Sequence, residues 1–236
     1  MMRCWYGVFD GDTPMNRATT LRPGQKLSAG ATPIVFVVDD DISVRESLEL
    51  LIAHAGWRPE LLASAQEFLV RPRPQCPSCL LLDVGLPDLN GLELQKRICD
   101  ERPEMPIIFI TGCGDIPTTV RAMKAGAVEF LTKPLLPDAL LEAIARALER
   151  SRASLEEQSR LRVMRDRHQS LSPREREVMA LVVLGQLNKQ VGAVLGISEI
   201  TVKAHRGRVM RKMCAGSLPA LVDMASLLGL HTPGKS

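Results

Sequence analysis

The chain has no apolar run approaching the ~20 residues that a membrane-spanning helix needs, which excludes a helical membrane protein. Its N-terminus has no apolar core of the kind that directs secretion, so a cytoplasmic protein is expected. The six cysteines, at 4, 76, 79, 99, 113 and 214, fit no disulfide framework, and a cytosolic chain keeps its thiols reduced. Cys76-Pro77-Ser78-Cys79 has the spacing of half a zinc site, but a structural zinc takes four ligands and no second pair lies nearby in the chain. Cys79 is more simply the first residue of a strand. Residues 1–32 lack helical or strand periodicity and are expected to form a disordered or loosely attached leader. Met15 is an alternative start within it, and Trp5, Tyr6 and Phe9 could instead dock on the folded chain.

What the sequence does contain is enough apolar residue for real cores. Of 236 residues 45% are hydrophobic and 24% charged, which suits one or two globular domains. The net charge of +3 hides an asymmetry. Residues 33–137 carry 10 Lys/Arg against 15 Asp/Glu, whereas residues 172–236 carry 9 against 4. An acidic half followed by a basic half suggests a cation site first and a polyanion partner second.

The acidic half is arranged around the stretch Cys79–Gly91, C-L-L-L-D-V-G-L-P-D-L-N-G. The unbroken apolar run Cys79–Leu82 suits a strand buried on both faces of a parallel sheet. Asp83 then stands at the strand's carboxyl end, where open α/β sheets hold their ligands. Gly85, Pro87, Asp88, Asn90 and Gly91 mark the loop behind it. Taken alone, such a carboxylate is a phosphate acceptor, a metal ligand or a helix cap.

Other strand ends supply its company. Ile34–Val38 is a buried strand ending in Asp39-Asp40-Asp41, whose charges repel one another unless a cation is present. Pro106–Thr111 ends in a hydroxyl, and the short strand Glu129–Thr132 is followed by Lys133-Pro134. With a weaker strand at Arg58–Leu62 and helical stripes between, the pattern predicts five parallel strands covered on both faces. That arrangement brings Asp39, Asp40, Asp83, Thr111 and Lys133 to one edge. Clustered carboxylates bind a hard cation such as Mg²⁺ through oxygen. Asp83 can then act as a nucleophile on phosphorus, with Lys133 and Thr111 as donors to the phosphoryl oxygens.

Pro137–Gln169 reads as one long helix that covers the sheet with Leu140, Leu141, Ile144 and Leu148 and continues as an Arg-rich linker. A coiled-coil seam along it fails at Ser151 and Gln158. Beyond it, Ser172, Pro173 and Glu175 form a capping box that opens a new helix. Asn188–Leu195 is a short helix, Gly196 a tight turn, and Ser198 caps a basic third helix; this is the helix-turn-helix pattern. On the third helix Val202, Val209 and Met213 share a core face, while Lys203, Ala204 and Gly207 share the face suited to a major groove. Arg206, Arg208, Arg211 and Lys212 are placed as phosphate contacts. His205 is a packing or phosphate residue, since no nucleophile is paired with it.

Two resemblances carry this further. Residues 33–150, through V-V-D-D-D, L-L-L-D-V-x-L-P-x-x-x-G, I-I-F-I-T-G, A-G-A-V-E-F-L and T-K-P, resemble a response-regulator receiver domain with the CheY-like fold. Residues 171–236 resemble the LuxR-type DNA-binding domain in L-S-P-R-E-R-E-V, N-K-Q-V and L-G-I-S-E-I-T-V-K-A-H-R-G-R-V-M-R-K-M. Residues 151–170 would be the helical linker between them. The whole is similar to NarL/FixJ-family response regulators, nearest the FixJ branch.

The resemblance implies a doubly wound α/β receiver followed by a small all-α helix-turn-helix domain. It implies Asp83 as the phosphorylated residue, Asp39 and Asp40 as the acidic pair for Mg²⁺, and the carbonyl of Gly85 as a further metal ligand. Thr111 and Phe130 would be the switch pair. Gly85 stands where relatives often carry a larger side chain, which implies a more open site. The implied partners are a histidine kinase, double-stranded promoter DNA and a second copy of the chain on phosphorylation, with RNA polymerase as a further one and no membrane. The chain would be no enzyme beyond weak self-dephosphorylation. A rival reading is a phosphohydrolase of the haloacid-dehalogenase type, but that chemistry places a second acid two residues after the nucleophile, where this chain has Gly85. A receiver that no longer takes phosphate is a second rival, opposed by the complete set of five residues.

Overall fold

In the computed structural model, residues 31–87, 89–112 and 116–230 are described. Residues 1–30 of the expected leader, with Met15 and its aromatics, and the loop residues Asp88, Cys113, Gly114 and Asp115 lie outside them. Strands β1 (Ile34–Val38), β2 (Arg58–Leu62), β3 (Ser78–Asp83), β4 (Ile107–Thr111) and β5 (Glu129–Thr132) form one parallel sheet in the order β2-β1-β3-β4-β5. Between them run α1 (Ile42–His54), α2 (Ala65–Leu69), α3 (Gly91–Glu101) and α4 (Ile116–Lys124). Helix α5 (Pro137–Gln169) follows as a single element of 33 residues.

Every residue of β1, β3 and β4 is buried, as continuous apolar runs in a parallel sheet require. Side chains alternate between two cores. One holds Phe36, Leu80, Leu82 and Phe109 against Phe68, Leu94 and Ile98. The other holds Val35, Val37, Leu81, Ile108 and Ile110 against Ile52 of α1 and Leu140 and Ile144 of α5. Pro59 is tolerated in β2 because that strand lies at the sheet's edge.

The polar residues that break a coiled-coil seam in α5 have partners on the sheet domain. Ser151 is fully buried, and its Oγ accepts a hydrogen bond from the Ser78 amide at 3.1 Å, at the start of β3. Gln158 reaches Glu104, whose carboxylate is held by Arg73 at 2.6 Å.

Four helices complete the chain: α6 (Pro173–Val183), α7 (Asn188–Leu195), α8 (Glu199–Met213) and α9 (Leu218–Leu227). Their shared core contains Val178, Val182, Val191, Val202, Val209, Met213 and Leu221. Ser172 and Glu175 make the capping box that opens α6. Gly196, with φ 64° and ψ 37°, turns the chain between α7 and α8 in the left-handed conformation that glycine adopts without penalty. At Gly192 a Cβ would stand 2.7 Å from the carbonyl oxygen of Ile197, so only glycine lets α7 and the turn close on each other.

Candidate functional site

The order β2-β1-β3 reverses the direction of winding between β1 and β3, and a crevice opens at the carboxyl ends of these two strands. Asp39 directly follows β1 and Asp83 ends β3, so the fold delivers both carboxylates to that crevice. Asp39 is fully buried and Asp83 is 8% exposed, while Asp40 is open to solvent. One carboxylate oxygen from each of Asp39, Asp40 and Asp83 lies within 4.8 Å of the others. The three consecutive aspartates thus have distinct placements. The side chain of Asp41 caps α1, accepting from the Ser43 amide at 2.8 Å, and its own amide donates to Asp39 Oδ1 at 2.9 Å.

Lys133, brought in behind β5, sits between the two buried acids. Its Nζ is 2.7 Å from Asp39 Oδ2 and 3.7 Å from Asp83 Oδ2. The Lys133–Pro134 peptide is cis, and the Lys133 amide donates to the Thr111 carbonyl at 2.7 Å. Burial would lower the pKa of Lys133, but its hydrogen bond to Asp39 and the charges of Asp83, Asp39 and Asp41 hold it above the ordinary lysine value. For Asp83 burial dominates. It pushes the carboxyl above the ordinary value of 3.8, aided by Asp39 and Asp40 and opposed by Lys133 and the Gly85 amide. A Cβ on Gly85 would lie 3.7 Å from Asp83 Oδ2, so the glycine leaves room beside the carboxylate. At Gly91 a Cβ would meet the Asp83 carbonyl oxygen at 2.8 Å; the glycine lets α3 start directly beneath the acid.

Thr111 ends β4 and is buried next to this group. Phe130 is half-buried on β5, paired in register with Phe109, and the two ring centroids are 6.1 Å apart. All five polar residues expected at one sheet edge therefore stand at strand ends of the same sheet. Oxygen-only donors of high negative charge fit a hard divalent cation such as Mg²⁺. By contrast, burial raises the thiol pKa of both Cys76 and Cys79, and Cys79 lies buried inside β3, so the CxxC pair lacks the thiolate character that metal or redox work needs and its second thiol lacks the access.

The second surface is α8. Val202, Val209 and Met213 are buried, and Lys203, Ala204, Gly207, Arg208 and Arg211 are exposed. Two cations of the predicted set are tied to neighbours. Arg206 donates to Asn188 Oδ1 at 3.2 Å, linking α8 to α7. Lys212 is 2.6 Å from Glu175 and 3.1 Å from the Ser170 carbonyl, linking α8 to α6. The Lys212 hydrogen bond, together with the Ser172 amide, holds the Glu175 carboxyl below its ordinary value. His205 is half-buried, and among the described residues its Nδ1 has no hydrogen-bond partner. Ile200, absent from the predicted set, is 83% exposed in the first turn of α8. Its spacing of three, four and seven residues from Lys203, Ala204 and Gly207 is the signal that places it on their face.

Comparison with known proteins assigns both halves. The response regulator receiver domain family matches residues 35–145, and the luxR family of bacterial regulatory proteins matches residues 169–225. Neither is a classical enzyme family. The chain is 49% identical to nodulation protein W of Bradyrhizobium diazoefficiens over 88% of its own length and 91% of that protein's. It is 42% identical to the transcriptional regulatory protein FixJ of Rhizobium meliloti, over 81% of this chain and 94% of that one. Among solved structures, that of the response regulator StyR superposes with a TM-score of 0.74 at 44% identity, covering 83% of this chain and 99% of StyR.

Proposed function

The chain belongs to the NarL/FixJ-type response regulators of two-component systems, with a receiver and a LuxR-type DNA-binding domain, and from that premise we propose how it is switched. A partner histidine kinase transfers a phosphoryl group to Asp83. One carboxylate oxygen forms the bond to phosphorus as the phosphorus–nitrogen bond of the kinase's phosphohistidine breaks, and the imidazole keeps that electron pair. The observation that carries this reading is the nearly buried Asp83 carboxylate, 3.7 Å from the Lys133 ammonium and clustered with two further acids.

Asp39, Asp40, Asp83 and the Gly85 carbonyl would hold Mg²⁺, which supplies positive charge to the phosphoryl oxygens. Lys133, kept as an ammonium by the acids around it, moves from bridging Asp39 and Asp83 to binding a phosphoryl oxygen. The hydroxyl of Thr111 donates to another oxygen, and Phe130 follows inward against Phe109, reshaping the face formed by α4 and β5. Self-dephosphorylation is weak at most.

The phosphorylated protein then dimerises and presents two helix-turn-helix units to paired half-sites in promoter DNA. Lys203, Ala204 and Gly207 of α8 face the base edges, and Arg208 and Arg211 meet phosphates. Arg206, His205 and Lys212 lie at the rim of this contact, with Arg206 and Lys212 also tying α8 to its neighbours. The receiver spans 33–150, the linker 151–170 and the DNA-binding domain 171–236. RNA polymerase is a further partner at the promoter, and the protein works in the cytoplasm. Among the described residues no helix is long and apolar enough to cross a membrane.

Incubation with Mg²⁺ and acetyl phosphate tests the core of this reading. One acid-stable, base-labile phosphoryl group per chain should appear, and none in Asp83→Asn. Equal incorporation by the variant would remove Asp83 from the role.

A further inference from the structure

The first turn of α8 contains one large apolar side chain that the helical core does not use. Ile200 is 83% exposed, whereas Val202, two residues on, is fully buried. Lone exposed apolar residues are common and need no explanation by themselves. The position of this one is what matters. It lies three, four and seven residues before Lys203, Ala204 and Gly207, all exposed, so the four form one stripe along the helix. The stripe runs about 10 Å at 1.5 Å per residue, the length of roughly three base-pair steps.

The two hydroxyl groups of the same turn are already occupied, and its remaining polar side chain, Glu199, is an acid. The side chain of Ser198 accepts from the Thr201 amide at 3.2 Å, and the hydroxyls of Ser198 and Thr201 bond each other at 2.8 Å. Ala204 has only a methyl group, and beside Gly207 there is open space where a Cβ would be. Ile200 is therefore the tallest apolar feature of the stripe, with Lys203 beside it. An apolar side chain at a base edge has one partner in the major groove that suits it, the C5-methyl group of thymine.

We infer that Ile200 is a specificity-determining residue that packs on a thymine methyl in each half-site. The inference rests on the recognition face proposed above. Its chemistry is burial of one methyl group against a branched aliphatic side chain, which separates thymine from uracil by about threefold to fivefold per half-site.

The test uses the full-length protein treated with acetyl phosphate and Mg²⁺. DNA is selected from a random duplex pool, and affinities are measured for duplexes in which each thymine of a half-site is replaced singly by deoxyuridine. Wild-type protein should lose about threefold to fivefold at one thymine, and Ile200→Ala should bind the thymine and uracil forms of that duplex equally. Ile200→Val should retain most of the discrimination, and circular dichroism should show the same helical content in all three proteins. Indifference of the wild type to uracil at every position would overturn the inference. So would an unchanged thymine-to-uracil ratio in Ile200→Ala, which would assign this exposed isoleucine to a protein partner instead. Failure to enrich any sequence would overturn the proposed recognition face and the inference with it, a result distinct from either of those.

Discussion

At Asp83 the structure sets stability against chemistry. Burial disfavours its charged form, and the folded carboxyl is held above its ordinary value of 3.8. For an acid shifted in this direction the penalty is absent at low pH, where the group is neutral whether folded or not. It grows as pH rises through the unfolded value and is complete above the folded one. Asp83→Asn removes the charge without changing the shape. Its melting temperature should therefore exceed that of the wild type at pH 7, and the two should converge as pH falls below 4. A variant less stable than wild type at pH 7 would show that the Lys133 contact outweighs desolvation. Lys133→Ala is a poorer probe, because it strands the fully buried Asp39 without its 2.7 Å partner. Breaking such a pair costs roughly 3–5 kcal/mol and confounds function with folding. Added Mg²⁺ should raise the wild-type melting temperature more than that of Asp83→Asn, since one of three clustered carboxylates is lost.

Among the helices, α7 and its turn offer a clean test of geometry against propensity. Exchanging a helical glycine for alanine ordinarily stabilises by roughly 0.5–1 kcal/mol. At Gly192 the added methyl would meet the Ile197 carbonyl oxygen at 2.7 Å, and backbone cannot swing aside as a flexible side chain can. Overpacking of this kind costs roughly 1–3 kcal/mol, so the sign should reverse. Gly192→Ala should lower the denaturant midpoint of the isolated transition in α6–α9, read by chemical unfolding; an unchanged or raised midpoint would mean that the turn can shift freely. This constraint was not legible in the sequence, where Gly192 stands inside a helical pattern like any tolerated glycine. Elements whose cause is local were legible. The apolar runs of β1, β3 and β4, the capping box at Ser172 and the turn at Gly196 appear where the pattern puts them. What escaped depends on distant partners. Ser151 and Gln158 break a heptad seam because they bond Ser78 and Glu104, and Lys212 serves Glu175, on another helix. Asp41 differs from its two acidic neighbours only by where α1 starts.

Across the whole molecule, charge divides the work. The half that holds three clustered carboxylates is net acidic, and the half that presents α8 carries 9 Lys/Arg against 4 Asp/Glu. A basic surface binds any DNA through its phosphates, so affinity alone does not separate positioning from reading. Salt dependence does. Each phosphate contact releases condensed counterions, and losing one should shallow the slope of log affinity against log salt by about one unit per monomer. Arg208 and Arg211 are exposed on α8 and lie a turn or more beyond Lys203 and Ala204, towards the helix's C-terminal end and away from the N-terminal turns that reach base edges. Arg208→Ala and Arg211→Ala should therefore weaken selected and random duplexes alike, with the shallower slope. Lys203 belongs to the stripe itself. Its replacement by alanine should cost roughly 1–3 kcal/mol on the selected site, the worth of a bidentate base contact, and much less on random DNA. Affinities of the three variants for both duplexes, measured across a salt series, separate these cases. Equal losses for Lys203→Ala on the two DNAs would make Lys203 a phosphate contact and leave base reading to the rest of the stripe.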